Sequence, residues 1–177
     1  AAAMKTLLGG ISFNYDLVGI GIGAPNGNYY KGTVEIPSNM WKYSKEQLAA
    51  GKKDEDRIFN LADDLGKHFV NVPVYVTNDA NAATIGEMVY GGAKGMKDFI
   101  MVTLGTGVGS GFVANGEMIY GHDGFAGEFG HVIVERGGRE CGCGRKGCLE
   151  AYASAIGIKR TAFELMATMN DKSPLRD

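Results

Sequence analysis

No apolar run in this sequence is long enough to span a bilayer, and no basic-then-apolar leader opens it, so neither a membrane-spanning helix nor a secretory signal is indicated. A soluble, cytoplasmic protein is expected. An excess of one charge is also lacking. The formal net charge is −2, which gives no basic footprint for nucleic acid and favours a small-molecule role. Internal repeats and low-complexity tracts are absent, which speaks against a repeat array. Cysteine is scarce and odd in number, three residues in all, and this argues against a disulfide framework.

The few cysteines are nevertheless concentrated. Cys141, Cys143 and Cys148 lie with His131 in one stretch, GHVIVERGGRECGCGRKGCLE. Thiolates and a neutral imidazole are the ligands Zn²⁺ prefers, and four of them close a tetrahedral structural site with no position open for catalysis. Unligated core thiols fit less well, because CGCG and RKGC are glycine-rich and charged rather than apolar. A structural Zn²⁺ held by His131, Cys141, Cys143 and Cys148 is therefore expected.

With 177 residues and 45% hydrophobic content, the chain can bury a core. Residues 17–23 (LVGIGIG) predict a buried strand leading to an Ala24-Pro25-Asn26-Gly27 turn. Residues 44–56, rich in Lys, Glu and Asp, read as an exposed insertion or a solvated helix. Ile58, Leu61, Ala62, Leu65 and Phe69 recur at helical spacing, ahead of a strand over 72–77 that starts at Pro73. A helix then begins at Asn78-Asp79 and ends near Gly91-Gly92. Strands are expected over 99–104 and 111–114 around a glycine loop. An Asn115-Gly116 hairpin turn follows. The last helix is placed from Leu149, with Leu149, Tyr152, Ile156 and Phe163 on one face. The glycines at 91, 92 and 95 suggest a boundary between two α/β lobes near 91–97.

Asp79 falls where a buried strand gives way to a helix, the place where α/β sheets present side chains to ligands. A helix cap is the alternative role, and the two are compatible if Asn78 caps while Asp79 points outward. The segment 104–111, LGTGVGSG, matches neither GxGxxG nor GxxxxGK[ST], which argues against a Rossmann or P-loop assignment for it. Its four alternate glycines leave the backbone bare, so that main-chain N–H groups and the Thr106 hydroxyl can approach phosphate oxygens. Glu128 and Glu150, taken alone, are solvated surface carboxylates. His68 and His122 lack ligand spacing with the cysteines. Trp41, Tyr29 and Tyr30 are assigned to packing or loop anchoring.

In this order and spacing, NDANAA (78–83), TLGTGVGSG (103–111), AGEFGH (126–131) and CGCGRKGCLE (141–150) make the chain resemble the ROK family of bacterial sugar kinases and sugar-responsive repressors. The likeness is strongest to its glucokinase-like branch. The resemblance implies a two-lobed sugar kinase of the actin-like ATPase (ribonuclease H-like) fold. Residues 1–92 would be a remnant of the small lobe and 93–177 part of the large lobe. It implies Asp79 as general base, sugar contacts from Asn78, Asp79, Glu128, His131 and Glu150, and a phosphate loop using Gly105, Thr106, Gly107 and Gly109. His131 would serve twice, one ring nitrogen on zinc and the other toward the sugar or a supporting partner.

Asn39, in IPSNMW, lies near where relatives carry a PNL-like segment that reaches the sugar, although Ser38 and Met40 depart from that pattern. The implied reaction is ATP-dependent phosphorylation of a hexose, glucose above all, with Mg²⁺ accompanying ATP. A sugar-responsive repressor is the alternative. The partners would be hexose and ATP, with no membrane and no nucleic acid for the kinase, and a homodimer is a candidate state. The family's DxGGTxxK-like phosphate-binding start does not occur, and AAAMK reads as an artificial join, so a partial chain is expected.

Overall fold

A computed structural model describes residues 1–36 and 43–176; Asn39 and Trp41 lie outside the described residues. The chain forms two compact units, residues 1–86 with 120–126, and residues 87–119 with 127–177.

The first unit opens with helix α1 (Ala2–Gly9), which no sequence pattern announced. Strand β1 (Ile20–Ala24) pairs in parallel with β5 (Val74–Asn78), from Ile20 opposite Val74 to Ala24 opposite Asn78. Alternation in IGIGA puts Ile20, Ile22 and Ala24 on one face and glycines on the other. Ile20 joins Leu65 and Phe69 in one buried cluster, and Ala24 joins Val34 and Val76 in a second. The bare face has its own use. A Cβ at Gly23 would lie 2.9 Å from the Ala82 Cβ and 3.3 Å from the Asp79 Cα, so glycine lets helix α4 (Asp79–Val89) start directly against β1.

A second small sheet in this unit orders β2 (Gly27–Asn28), β3 (Thr33–Glu35) and β4 (Ile58–Phe59), all antiparallel. Here the expected helix through Ile58 and Phe69 is shorter than its periodicity. Helix α3 spans Leu61–Gly66, while Ile58 pairs with Glu35 across the sheet. Phe69 reaches the core from beyond the helix end, so the apolar spacing reflects a shared core and not one continuous helix. The charged stretch contains a short helix, α2 (Lys45–Ala49), with a capping box between Ser44 and Gln47; this matches the solvated helix.

In the second unit β6 (Phe99–Leu104), β7 (Val108–Ala114) and β8 (Glu117–Met118) form an antiparallel sheet. Asn115 and Gly116 both have positive φ, 54° and 81°, as the expected two-residue hairpin turn requires. The glycine loop is shorter than the sequence suggested. Gly109, Ser110 and Gly111 belong to β7 and pair with Thr103, Val102 and Met101, which leaves residues 105–107 as the turn. Ladder hydrogen bonds supply more than the glycines' lost backbone freedom costs.

The final helix is also two helices, α5 (Glu150–Ala153) and α6 (Ala155–Thr168). Ser154 is extended between them (φ −71°, ψ 165°), and its hydroxyl accepts from the Gly157 N–H at 3.1 Å. That local bond offers the backbone an alternative to helix and sets the break. Ile156 and Phe163, both on α6, are exposed.

Candidate functional site

The site residues of the first unit lie at the β5–α4 junction. Asn78 ends β5 and Asp79 begins α4. The Ala80 N–H donates to both, 2.8 Å to Asn78 Oδ1 and 2.9 Å to Asp79 Oδ1. Both side chains thus take part in capping, so the cap that the sequence gave as the alternative role of Asp79 is shared with Asn78. Asp79 is nonetheless exposed, and its second carboxylate oxygen remains available at the end of a parallel strand.

In the second unit the glycine loop is closed by the Gly105 N–H donating to the Gly107 carbonyl at 3.0 Å. Gly105 and Thr106 are exposed, whereas Val108 is buried. Among the described residues, no protein acceptor takes the N–H groups of Thr106 and Gly107. Gly109 is placed inside β7 instead of in the loop.

The segment 127–131 packs beside β7 through Ser110. Its hydroxyl donates to the Gly127 carbonyl and accepts from the Phe129 N–H at 3.2 Å. Serine inside a glycine run gave no signal of this role. Glu128 precedes the short 3₁₀ turn Phe129–His131, and its Oε2 lies 4.0 Å from His131 Nε2. The other ring nitrogen, Nδ1, lies 3.6 Å from the Cys141 sulfur.

That sulfur belongs to a knuckle formed by backbone bonds. The Cys141 N–H donates to the Arg145 carbonyl (2.9 Å), Gly144 N–H to Cys141 (3.0 Å) and Gly147 N–H to Arg139 (2.8 Å). Gly147, at φ 82°, abuts the Glu135 carbonyl so closely that any Cβ would collide with it. Within the knuckle, ligand atoms of His131, Cys141, Cys143 and Cys148 lie within 4.8 Å of one another, and Cys143 and Cys148 sulfurs are 3.7 Å apart. A tetrahedral Zn²⁺ with ordinary bond lengths needs sulfur–sulfur edges of about 3.8 Å and nitrogen–sulfur edges of about 3.5 Å. The donor set therefore fits zinc in identity, and the His131–Cys141 and Cys143–Cys148 separations of 3.6 and 3.7 Å match its edges, while the widest separation, 4.8 Å, would have to close on a bound ion.

Burial pushes the Cys141 thiol up to about 12. Burial acts the same way on Cys143, but hydrogen bonds from the Arg145 backbone and side chain outweigh it and bring this thiol down to about 6. Cys143 thus offers a thiolate near neutral pH, the form that binds metal.

Glu150 starts α5, two residues after the last cysteine. Its Oε2 accepts the Val108 N–H at 2.9 Å, and the Cys141 thiol approaches Oε1 at 3.7 Å. Arg139 is a further residue that the sequence did not single out. It donates to the carbonyls of Ala151 and Gly157, both at 3.1 Å, and pairs with Glu164 at 2.6 Å. The structure thus brings Gly107, Glu128, His131, the cysteines and Glu150 into one unit, with Asn78 and Asp79 in the other.

The profile of the ROK family matches residues 16–174. A glucokinase of Halalkalibacterium halodurans is 43% identical over 161 residues, covering 90% of this chain and 44% of that protein. The xylose repressor of Bacillus subtilis is 36% identical over 141 residues, covering 79% of this chain and 33% of that protein. A crystal structure of a ROK family glucokinase from Streptomyces griseus in complex with glucose and AMPPNP superposes with a TM-score of 0.69 at 36% identity, over 94% of this chain and 49% of that one. The chain is therefore partial, spanning about half the length of these kinases, and its fold is part of the actin-like ATPase fold. Among the described residues no helix is long and apolar enough to cross a membrane.

Proposed function

The chain belongs to the ROK family, and from that membership and the placement of Asp79 we propose that the whole protein is a cytoplasmic, ATP-dependent hexose kinase acting on glucose. The carrying observation is the Asp79 carboxylate, exposed at the end of parallel strand β5 beside Asn78. In this reading residues 1–92 contribute to a small lobe and 93–177 to a large one. The sugar 6-hydroxyl attacks the γ-phosphorus of ATP; the new O–P bond forms as the bridging P–O bond to ADP breaks, and the hydroxyl proton passes to Asp79. In a loose transition state the attacking oxygen is weakly bonded, so orienting it and accepting its proton late is the contribution open to a carboxylate.

Asn78, Glu128, His131 and Glu150 supply acceptors and donors for the remaining sugar hydroxyls. Gly105, Thr106 and Gly107 offer main-chain N–H groups to phosphate, with Gly109 supporting the turn from within β7. Mg²⁺ neutralises charge on the transferring group when bound with ATP. Zn²⁺, held by His131, Cys141, Cys143 and Cys148, supplies rigidity between Glu128 and Glu150 and no catalytic step.

A second reading, a sugar-responsive repressor, is kept open by the likeness to the xylose repressor. A sensor needs sugar contacts but neither a general base nor an open phosphate loop, and this chain has residues for both. A coupled ADP-release assay of the full-length protein against a panel of hexoses tests the choice. Hexose-dependent ADP production, greatest with glucose, is expected. Sugar binding without any ADP release would establish the repressor reading instead.

A further inference from the structure

The glycine loop is fastened at both ends to the segment that follows the last cysteine. At one end the Val108 N–H donates to Glu150 Oε2 at 2.9 Å; at the other, the Ala155 N–H donates to the Gly105 carbonyl at 2.9 Å. Contact is tight at the centre as well, since a Cβ at Gly107 would lie 2.5 Å from Glu150 Oε2. Glu150 is itself held in place, because the adjoining Leu149 N–H donates to the Val132 carbonyl at 2.9 Å and Cys148 is fully buried. A carboxylate beside a loop that receives phosphate is electrostatically unfavourable unless it does something in return. Here it takes one amide of the loop, while the amides of Thr106 and Gly107 have no protein acceptor among the described residues.

We propose that Glu150 is a positioning residue for nucleotide binding, its Oε2 fixing Val108 and, with the Ala155 N–H on Gly105, holding the loop in the shape that presents its free amides to phosphate. The inference rests on the kinase reading above and deepens it. A residue acting only on sugar hydroxyls would alter sugar affinity and leave nucleotide affinity, measured without sugar, unchanged. Glu150 as a loop anchor alters nucleotide affinity with no sugar present. Preordered amides lose less freedom on meeting the phosphates, which is where the affinity arises.

Three variants separate the roles in the full-length protein. Glu150→Ala removes the acceptor for Val108, whereas Glu150→Gln keeps an amide oxygen that can accept the same N–H. Ala155→Pro removes the N–H that holds Gly105 without touching Glu150. Proline is suited to this first position of α6, and Ser154 before it is already extended.

The test is calorimetric titration with a non-hydrolysable ATP analogue and Mg²⁺, without sugar, alongside glucose titration and metal analysis to verify an intact knuckle. Glu150→Ala should weaken nucleotide binding by about tenfold, the order of one hydrogen bond to a charged group, and Ala155→Pro by about fivefold, the order of one between neutral groups. Glu150→Gln should stay within about twofold, and Ala155→Pro should bind glucose as the wild type does. Unchanged nucleotide affinity in both Glu150→Ala and Ala155→Pro would overturn the proposal. A wild-type protein that binds glucose but no nucleotide would instead overturn the kinase reading on which it rests.

Discussion

Arg139 lies over the ring of Tyr152, its guanidinium carbon 4.6 Å from the ring centroid, while its own backbone N–H donates to the Tyr152 hydroxyl at 2.9 Å. Two residues before the first cysteine, one side chain and one amide thus bind the knuckle to α5. The guanidinium also bonds carbonyls on either side of the Ser154 break, so it joins α5, α6 and the cysteine knuckle.

Arg139→Ala should therefore destabilise the protein by about 2 kcal/mol, through lost charge-assisted bonds to two part-buried carbonyls and the lost cation–π contact. The exposed pair with Glu164 adds little to that figure. Arg139→Lys should recover only a minor part, because an ammonium cannot span two carbonyls and an aromatic face in the same geometry. Thermal or urea unfolding of the full-length variants measures both, and an unchanged midpoint for Arg139→Ala would remove the clamp from the account.

Asp79→Asn should lower turnover at least about a hundredfold, the scale of losing a positioned base. Folding and sugar binding should persist, because an asparagine oxygen can still accept the Ala80 N–H that Asp79 shares with Asn78. Steady-state kinetics with a parallel glucose titration give the readout. Turnover at the wild-type rate would dismiss Asp79 as the base.

The purified full-length protein should carry about one Zn²⁺ per chain, as a closed tetrahedral site demands. Cys143→Ser tests this cleanly. Cys143 is the exposed member of the cluster, so the substitution opens no cavity and its effects arise from the lost ligand. Loss of the metal and weaker glucose binding are expected, since Glu128 and Glu150 flank the knuckle. Elemental analysis finding no zinc in protein never exposed to a chelator would refute the assignment.

Much of this was legible in the sequence where one residue type carries an unambiguous demand. Asn115-Gly116 fixed its hairpin because both positions take positive φ, and the Cys and His spacing anticipated that these four side chains gather, their donor atoms within 4.8 Å of one another. Legibility failed where tertiary bonding outweighs local preference. Gly109 and Ser110 read as loop residues, yet the ladder with Thr103 and Val102 makes them strand. The apolar face through Leu149 and Phe163 read as one helix, yet the Ser154 hydroxyl divides it. Glu150 and Val108 lie 42 residues apart, and no periodicity reports a bond of that range. Arg139 was hidden for the same reason, since its carbonyl partners carry no sequence signature.

The last prediction concerns the 177 residues produced as an isolated polypeptide. Strand β6 alternates its burial, and its outer face shows Ile100, Val102 and Leu104 at 57%, 42% and 66% exposure. On α6, Ile158, Phe163 and Leu165 are also exposed. Parallel sheets are normally covered on both faces, yet β1 and β5 make a sheet of only two strands among the described residues. Apolar surface of this kind favours association. The isolated polypeptide should therefore aggregate and bind a hydrophobic dye, and it should show no hexose kinase activity, because the proposed nucleotide site would draw on residues 105–107 alone for its phosphate turn. Light scattering, dye fluorescence and ADP release, compared with the full-length protein, decide the matter. Steady-state ADP production from glucose by the isolated chain, abolished by Asp79→Asn, would show that these residues alone complete the site.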